Sequence, residues 1–243
     1  MNAAYASIPD CRQDTCLCRQ SRLLCGCPEQ RVGCRTAVVL LYVLFSCLLL
    51  SACHSVQSRE PYPLPKSESP LRDFAKWRNI VKAEQASSSF SPEGLSLWAP
   101  RHSAEWRHLR RQLEKESLLG KARLVNAFFN QRPYISDKQA WGVEEHWARP
   151  LDFMNKGGDC EDYAIAKYYA LRAMGVPASD LRLAGLWNFR KKEGHAVLLL
   201  ITPKHTYVLD NEERDLPLLE TVHWYKVYYL LNEDTQWTHA EAL

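Results

Sequence analysis

The alternation of hydrophobic and polar positions divides the chain into an apolar leader, a polar link and a globular region. The leader, Thr36 to Leu50, is an uncharged apolar run of fifteen residues. It is shorter than the roughly 20 residues that a membrane-spanning helix needs and is typical of the apolar part of a signal peptide. The following segment, rich in Pro, Ser and charge up to about residue 70, predicts a tether.

Beyond residue 70 the spacing of the apolar residues first predicts helices. The predicted elements are a helical period within 71–100 (Leu71, Phe74, Trp77, Val81), a Ser-rich loop at 86–91, a long helix over about 103–130 interrupted at Gly120, and an aromatic-rich loop at 130–156.

The most clearly bounded helix lies in the segment GGDCEDYAIAKYYALRAMGVP, residues 157–177. Its glycine pair permits an unusual turn, Asp159 suits the N-cap, and the acidic residues after it suit a first helical turn. Gly175 and the proline two residues later end the helix.

The period then changes to that of strands, with turn residues between them. The predicted strands are 181–189, 196–201, 206–209 and 224–230. Helices followed by antiparallel strands predict an α+β domain over residues 71–243, with a helical N-terminal half packed on an antiparallel sheet.

Composition excludes several classes of protein. Of the 243 residues, 46% are hydrophobic and 24% are charged, which is ordinary for a globular protein and excludes a wholly disordered or collagen-like chain. The formal charge of +3 leaves no basic surplus for neutralising phosphates, so no nucleic-acid partner is expected.

Eight of the nine cysteines fall within the first 53 residues, which excludes a globular domain stapled by disulfides. Six of them, between Cys11 and Cys34, have a spacing compatible with a zinc site, but no His accompanies them. A start codon placed too early, with Val32 as the true initiator, accounts for this segment better.

The apolar run ends in Leu50-Ser51-Ala52-Cys53, which resembles a bacterial lipobox. Residues 1–52 would then be an N-terminal extension and lipoprotein signal peptide, Cys53 the lipidated residue, and 53–70 the tether. Simple cleavage or a retained anchor is the alternative. Residue 54 is His rather than Asp, so we expect a periplasmic protein anchored in the outer rather than the inner membrane.

Cys160 is the one thiol beyond Cys53 and lies at a helix start, where the helix dipole stabilises a thiolate. A nucleophilic Cys needs a base and a group that orients the base. His195 begins one predicted strand and Asp210 ends the next, so neighbouring strands can hold them side by side. A buried, inert Cys and a structural His are the alternatives.

These residues resemble the bacterial transglutaminase-like cysteine proteinase family. The resemblance runs from about residue 126 to 211 and is carried by GGDCEDYAIAKY, GHAVLLL and YVLDN. It implies a papain- or transglutaminase-like fold, with Cys160 as nucleophile, His195 as general base and acid, and Asp210 as the carboxylate that orients the His.

The acidic neighbours Asp159, Glu161 and Asp162 would raise the pKa of the thiol. A divalent cation would remove this penalty, and oxygen ligands favour calcium. The resemblance implies calcium at the matching residues, whereas plain helix capping is the alternative. For the oxyanion hole, the Cys160 N–H is one natural donor and Trp141 a weak second candidate, with a core aromatic as its alternative.

The sequence therefore predicts a lipid-anchored, calcium-dependent cysteine endopeptidase. Its expected partners are a protein substrate (a surface adhesin or secreted protein), the membrane through the lipid anchor and, from the resemblance, an inhibitory membrane receptor. Two alternatives stay open. One is an acyl transferase with the same triad, and the other is a non-catalytic, calcium-dependent binding module.

Overall fold

A six-stranded antiparallel sheet forms the framework of the computed structural model, which describes residues 62–239. The strands are β1 (Ser67–Pro70), β2 (Leu181–Asn188), β3 (Glu193–Ile201), β4 (Thr206–Leu209), β5 (Tyr225–Leu231) and β6 (Thr235–Thr238). Their order across the sheet is β1-β6-β5-β2-β3-β4, and every neighbouring pair is antiparallel.

Among the described residues, seven α-helices precede β2. They are α1 (Ala75–Ala86), α2 (Pro92–Ser96), α3 (Pro100–Leu113), α4 (Leu118–Phe129), α5 (Asp137–Ala140), α6 (Pro150–Lys156) and α7 (Cys160–Ala173). The prediction of an α+β domain, with helices first and an antiparallel sheet after them, is therefore confirmed. Within residues 62–239 no helix is both long and apolar enough to cross a bilayer.

The alternation of side chains along the strands produces a core on each face of the sheet. On β3, Leu198 and Leu200 belong to the large core beneath the helices, whereas Val197 and Leu199 belong to a smaller core on the opposite face. Between the helices and the sheet, every side chain of α7 from residue 161 to 171 is buried. This burial fixes α7, and with it Cys160, relative to β3.

The helical half is divided more finely than the sequence predicts. The long helix expected over 103–130 is two helices, α3 and α4, and Gly120 does not interrupt it. The hydroxyl of Ser117 accepts from the Gly120 N–H at 3.2 Å, so Gly120 lies in the first turn of α4. The expected loop at 130–156 contains α5 and α6.

The globular region begins before residue 71. Residues 67–70, placed in the tether by their Pro, Ser and charge, form β1 and pair with β6 from Ser67–Thr238 to Pro70–Thr235. We call residues 62–70 the N-terminal segment. The predicted signal peptide, Cys53 and the tether up to residue 61 lie outside the described residues.

Candidate active site

The turn before α7 places Cys160 at the first helical position. Gly157 has a φ of +86°, and a Cβ there would lie 2.6 Å from the Pro133 carbonyl oxygen, so the turn requires glycine. Asp159 occupies the predicted N-cap position. The backbone N–H of Cys160 belongs to the first turn, where no intrahelical acceptor exists, and it is free to bind an anion.

Cys160 and His195 line the same cavity, which has a volume of about 380 Å³. Its walls also include several aromatic and acidic side chains: Asp137, Trp147, Asp159, Glu161, Trp187 and Tyr229. Cys160 is the one cysteine among the described residues, and it is a free thiol. Because it lines this open cavity, a peptide could reach it.

The structure brings His195 and Asp210 together as the strand positions predict. His195 Nε2 lies 3.0 Å from Asp210 Oδ1, and both side chains are buried. Because Nε2 faces Asp210, Nδ1 is the ring nitrogen left for the side of the cavity that holds Cys160.

Three donors hold the Asp210 carboxylate. Besides His195, the Glu212 backbone N–H donates to Oδ1 at 3.0 Å, and the Tyr225 hydroxyl donates to Oδ2. Burial raises the pKa of Asp210, but the interactions with His195, Tyr225 and the Glu212 N–H outweigh burial and lower it overall. Asp210 is thus an anion fixed in orientation.

The thiol of Cys160 is held in its protonated form by its surroundings. Burial and the negative charge of Glu161 raise its pKa well above the ordinary value, and the Ala196 backbone N–H offsets only part of this. The sulfur lies 3.4 Å from Glu161 Oε2, close enough for a weak S–H···O hydrogen bond. A nearby positive charge is needed before this thiol ionises readily at neutral pH.

Three carboxylates beside the thiol form an acidic group. Asp137, Asp159 and Glu161 each offer one oxygen, and these oxygens all lie within 4.8 Å of one another. Burial, followed by the neighbouring Asp159, raises the pKa of Glu161 to about 9, and burial also raises that of Asp159. Oδ1 of Asp137 and Oδ1 of Asp159 are buried without a hydrogen-bond donor among the described residues.

Three carboxylates this close together, two of which carry a buried oxygen without a donor, fit a hard cation such as Ca²⁺. Asp137 was missed in the sequence analysis, because this residue lies more than twenty residues before Cys160, in the stretch that was predicted to be a loop. Only the folded chain brings it to Asp159.

Asp162 is buried next to this group but is not one of the three carboxylates whose oxygens come together. Its Oδ1 accepts from the Ala148 N–H at 2.7 Å, and its Oδ2 lies 3.4 Å from the Asp159 backbone N–H. Asp162 and Asp159 form a capping box, in which each side chain accepts from the other's backbone N–H, so Asp162 stabilises the start of α7. The carboxylates whose oxygens come together in the structure are thus Asp137, Asp159 and Glu161, whereas the sequence predicts Asp159, Glu161 and Asp162 as calcium ligands.

Trp141 lies outside the walls of the cavity that contains Cys160. Its ring packs against His146, with centroids 4.2 Å apart, and the Lys156 ammonium lies 3.6 Å from its centre. Trp141 is only partly buried and belongs to neither hydrophobic core, so it is not the core aromatic of the alternative, and its role as an oxyanion donor stays a prediction. Trp147, six residues later, is the nearby tryptophan that does line the cavity.

A lysine lies buried on the same face of α7 as Cys160, two turns further along. Lys167 has no exposed surface, and its Nζ has no hydrogen-bond partner among the described residues. Burial lowers its pKa to about 7, and the negative charge of Asp210 opposes this. Lys167, as an ammonium cation or as a neutral amine, is thus buried near Asp210, the carboxylate that holds His195.

Comparison with known families decides between the alternatives left open by the sequence. The model of the bacterial transglutaminase-like cysteine proteinases matches residues 100–241, more than half of the chain. The chain belongs to this family. It is therefore a cysteine peptidase with a transglutaminase-like fold, as the motif around Cys160 predicts.

Solved structures agree with this assignment. Calcium-bound LapG of Legionella pneumophila is 28% identical, with a TM-score of 0.54 over 67% of this chain and 88% of that one. EGTA-treated LapG of the same organism gives 28% identity and a TM-score of 0.53 over 72% and 90%. A search of curated proteins gives no match.

Proposed function

We propose that this peptidase cleaves proteins through a triad of Cys160, His195 and Asp210. The observation that carries the proposal is the 3.0 Å contact of His195 Nε2 with Asp210, in a cavity that His195 shares with Cys160. This geometry is the one that a thiol nucleophile needs, since a base must face the sulfur while a fixed anion holds the far side of the ring.

The residues then divide the reaction into two steps. His195 takes the proton of Cys160, and the thiolate attacks the peptide carbonyl while the Cys160 N–H donates to the developing oxyanion. The His195 imidazolium gives its proton to the leaving amine, which releases one fragment and leaves a thioester. His195 next removes a proton from water, whose oxygen attacks the thioester and returns the thiol.

We further propose calcium dependence, with Asp137, Asp159 and Glu161 as ligands. The support is the pair of orphaned oxygens and the raised pKa of Glu161, both of which indicate negative charge that lacks a counter-ion. A bound Ca²⁺ would supply positive charge beside the thiol. LapG, the similar protein from Legionella pneumophila, has been solved in calcium-bound and EGTA-treated forms.

The proposed location is the periplasm, with Cys53 carrying the lipid and the outer membrane as the anchoring membrane. The support is the apolar run followed by Leu50-Ser51-Ala52-Cys53. The proposed substrate is a surface adhesin or secreted protein, and an inhibitory membrane receptor is a proposed partner. Radiolabelled palmitate should enter the wild-type protein in cells and not a Cys53→Ala variant; labelling of both would contradict the lipidation.

The test of the triad is the rate of Cys160 alkylation by iodoacetamide as a function of pH. We expect rapid alkylation at pH 6–7 in calcium and slow alkylation in His195→Ala and in excess EGTA. His205→Ala is the matched control, because His205 is an exposed histidine in the β3–β4 turn. Equal rates in wild type and His195→Ala would contradict the proposed triad.

A further inference from the structure

Tyr225 is the second side chain, after His195, that donates to Asp210. It begins β5, which β2 separates from β3 in the sheet. Its hydroxyl donates to Asp210 Oδ2, the oxygen that His195 does not contact. Burial and the Asp210 charge raise the pKa of Tyr225 above its ordinary value, so the hydroxyl keeps its proton at every working pH.

The ring of Tyr225 is also a wall of a second cavity. This cavity has a volume of about 110 Å³ and shares no lining residue with the one that contains Cys160. Most of its walls are apolar side chains of the smaller core, among them Leu219, Val222 and Val227. Tyr225 thus has its hydroxyl at the triad and its ring in this core.

The N-terminal segment completes the wall of the second cavity. Tyr62 and Leu64 both line it, and Leu64 packs against the smaller core. Pro63 and Pro65 alternate with these two residues and fix their own φ angles, which lowers the entropic cost of holding the segment extended. Pairing of β1 with β6 fastens the end of the same segment to the sheet.

Tyr62 makes a second contact towards the triad. Its ring stacks on Phe189 with centroids 5.2 Å apart and an interplanar angle of 20°. Phe189 directly follows β2 and enters the turn that leads to β3 and His195. The N-terminal segment therefore lines the same cavity as Tyr225 and stacks on the residue that follows β2.

We propose that Tyr225 is a positioning residue for the Asp210 carboxylate, and that Tyr62 and Leu64 keep it in place by packing behind its ring. The proposal rests on the proposed triad. It makes the segment that joins the globular region to the rest of the chain a support of the active site.

The first variant is Tyr225→Phe, which removes the hydroxyl and keeps the ring. We expect the rate of Cys160 alkylation by iodoacetamide at pH 7 to fall on the order of tenfold, the effect of a lost hydrogen bond to a charged group. The midpoint of the rate-versus-pH profile should also shift to higher pH, because a carboxylate with one donor fewer holds the proton of the His195 imidazolium more tightly. A purely structural role would leave the profile in place.

The second pair of variants tests the N-terminal segment. Leu64→Ala enlarges the cavity behind Tyr225, and we expect a smaller change of rate in the same direction, with the same upward shift of the profile. Leu71→Ala is the matched control, since Leu71 is also partly buried and lies in the same stretch, but packs against the core beneath the helices. It should react like wild type.

The outcomes separate this proposal from the triad itself. Alkylation that does not depend on His195 would contradict the triad. Alkylation that depends on His195 but is unchanged in Tyr225→Phe would overturn the role of Tyr225. Equal effects of Leu64→Ala and Leu71→Ala, or no effect of Leu64→Ala, would overturn the role of the N-terminal segment.

Discussion

The buried ammonium of Lys167 makes a quantitative prediction about stability. A pKa lowered from 10.5 to about 7 means that the folded protein binds the proton less tightly than the unfolded chain does. At about 1.4 kcal/mol per pH unit, burial of this group costs about 5 kcal/mol wherever both states are protonated, that is, below pH 7. The cost shrinks as pH rises from 7 towards 10.5, because the folded state then holds a neutral amine.

Lys167→Met keeps the volume of the side chain and removes the charge. The variant should be more stable than wild type by about 4 kcal/mol at pH 7, and by roughly 1 kcal/mol at pH 9.5. Urea unfolding of both proteins at the two pH values, at one fixed calcium concentration, gives these differences. Effects of the other ionising groups are common to both proteins and cancel in the subtraction.

The control is Lys82→Met on α1, where the lysine is exposed. Its difference from wild type should be small and the same at both pH values. A Lys167→Met difference that does not change between pH 7 and 9.5 would refute the reasoning, since it would mean that Lys167 titrates alike in the folded and unfolded protein.

Three further predictions concern the acidic group and the turn before α7. Asp137→Asn should weaken calcium binding at least tenfold, measured by calorimetry. Asp162→Asn should change the calcium affinity only a few-fold and lower the stability of the protein instead. A larger loss of affinity in Asp162→Asn than in Asp137→Asn would support the ligand set predicted from the sequence. Without calcium, stability should fall as pH rises from about 4.5 to 9, because Glu161 binds its proton more tightly in the folded state; saturating calcium should flatten this slope in urea unfolding. Gly157→Ala should lower the unfolding free energy by about 1–3 kcal/mol, from the cost of a positive φ and the clash with Pro133; unchanged stability would contradict the strain argument.

The sequence predicted the parts of the fold that local patterns determine. The glycine turn, the N-cap position of Asp159 and the end of α7 near Gly175 follow from residues adjacent in the chain, and the structure confirms them. His195 and Asp210 were also placed correctly relative to each other, because they lie on consecutive strands joined by a short turn.

Features that depend on distant segments were not predicted. β1 looks like a tether, since its sequence SESP is polar and ends in proline, and only pairing with β6 makes it a strand. Asp137 lies in a stretch without a periodic pattern, and Tyr225 is one of eleven tyrosines. No local signal distinguishes either residue, because its role comes from contacts with residues far away in the chain.

The acidic residues around Cys160 make sense only if their charge is balanced when the enzyme works. Without calcium, Glu161 lies within hydrogen-bond distance of the thiol, and once it ionises above its own raised pKa its charge raises the pKa of Cys160 and opposes the His195 base. Glu161 is also one of the three carboxylates whose oxygens lie within 4.8 Å of one another, so a cation bound there would compete with the thiol for this side chain. On the proposed function, calcium binding and release of the thiol to His195 are then a single event. The calcium dependence of Cys160 alkylation should therefore persist at temperatures and urea concentrations where the calcium-free protein is still fully folded, which separates activation from mere stabilisation.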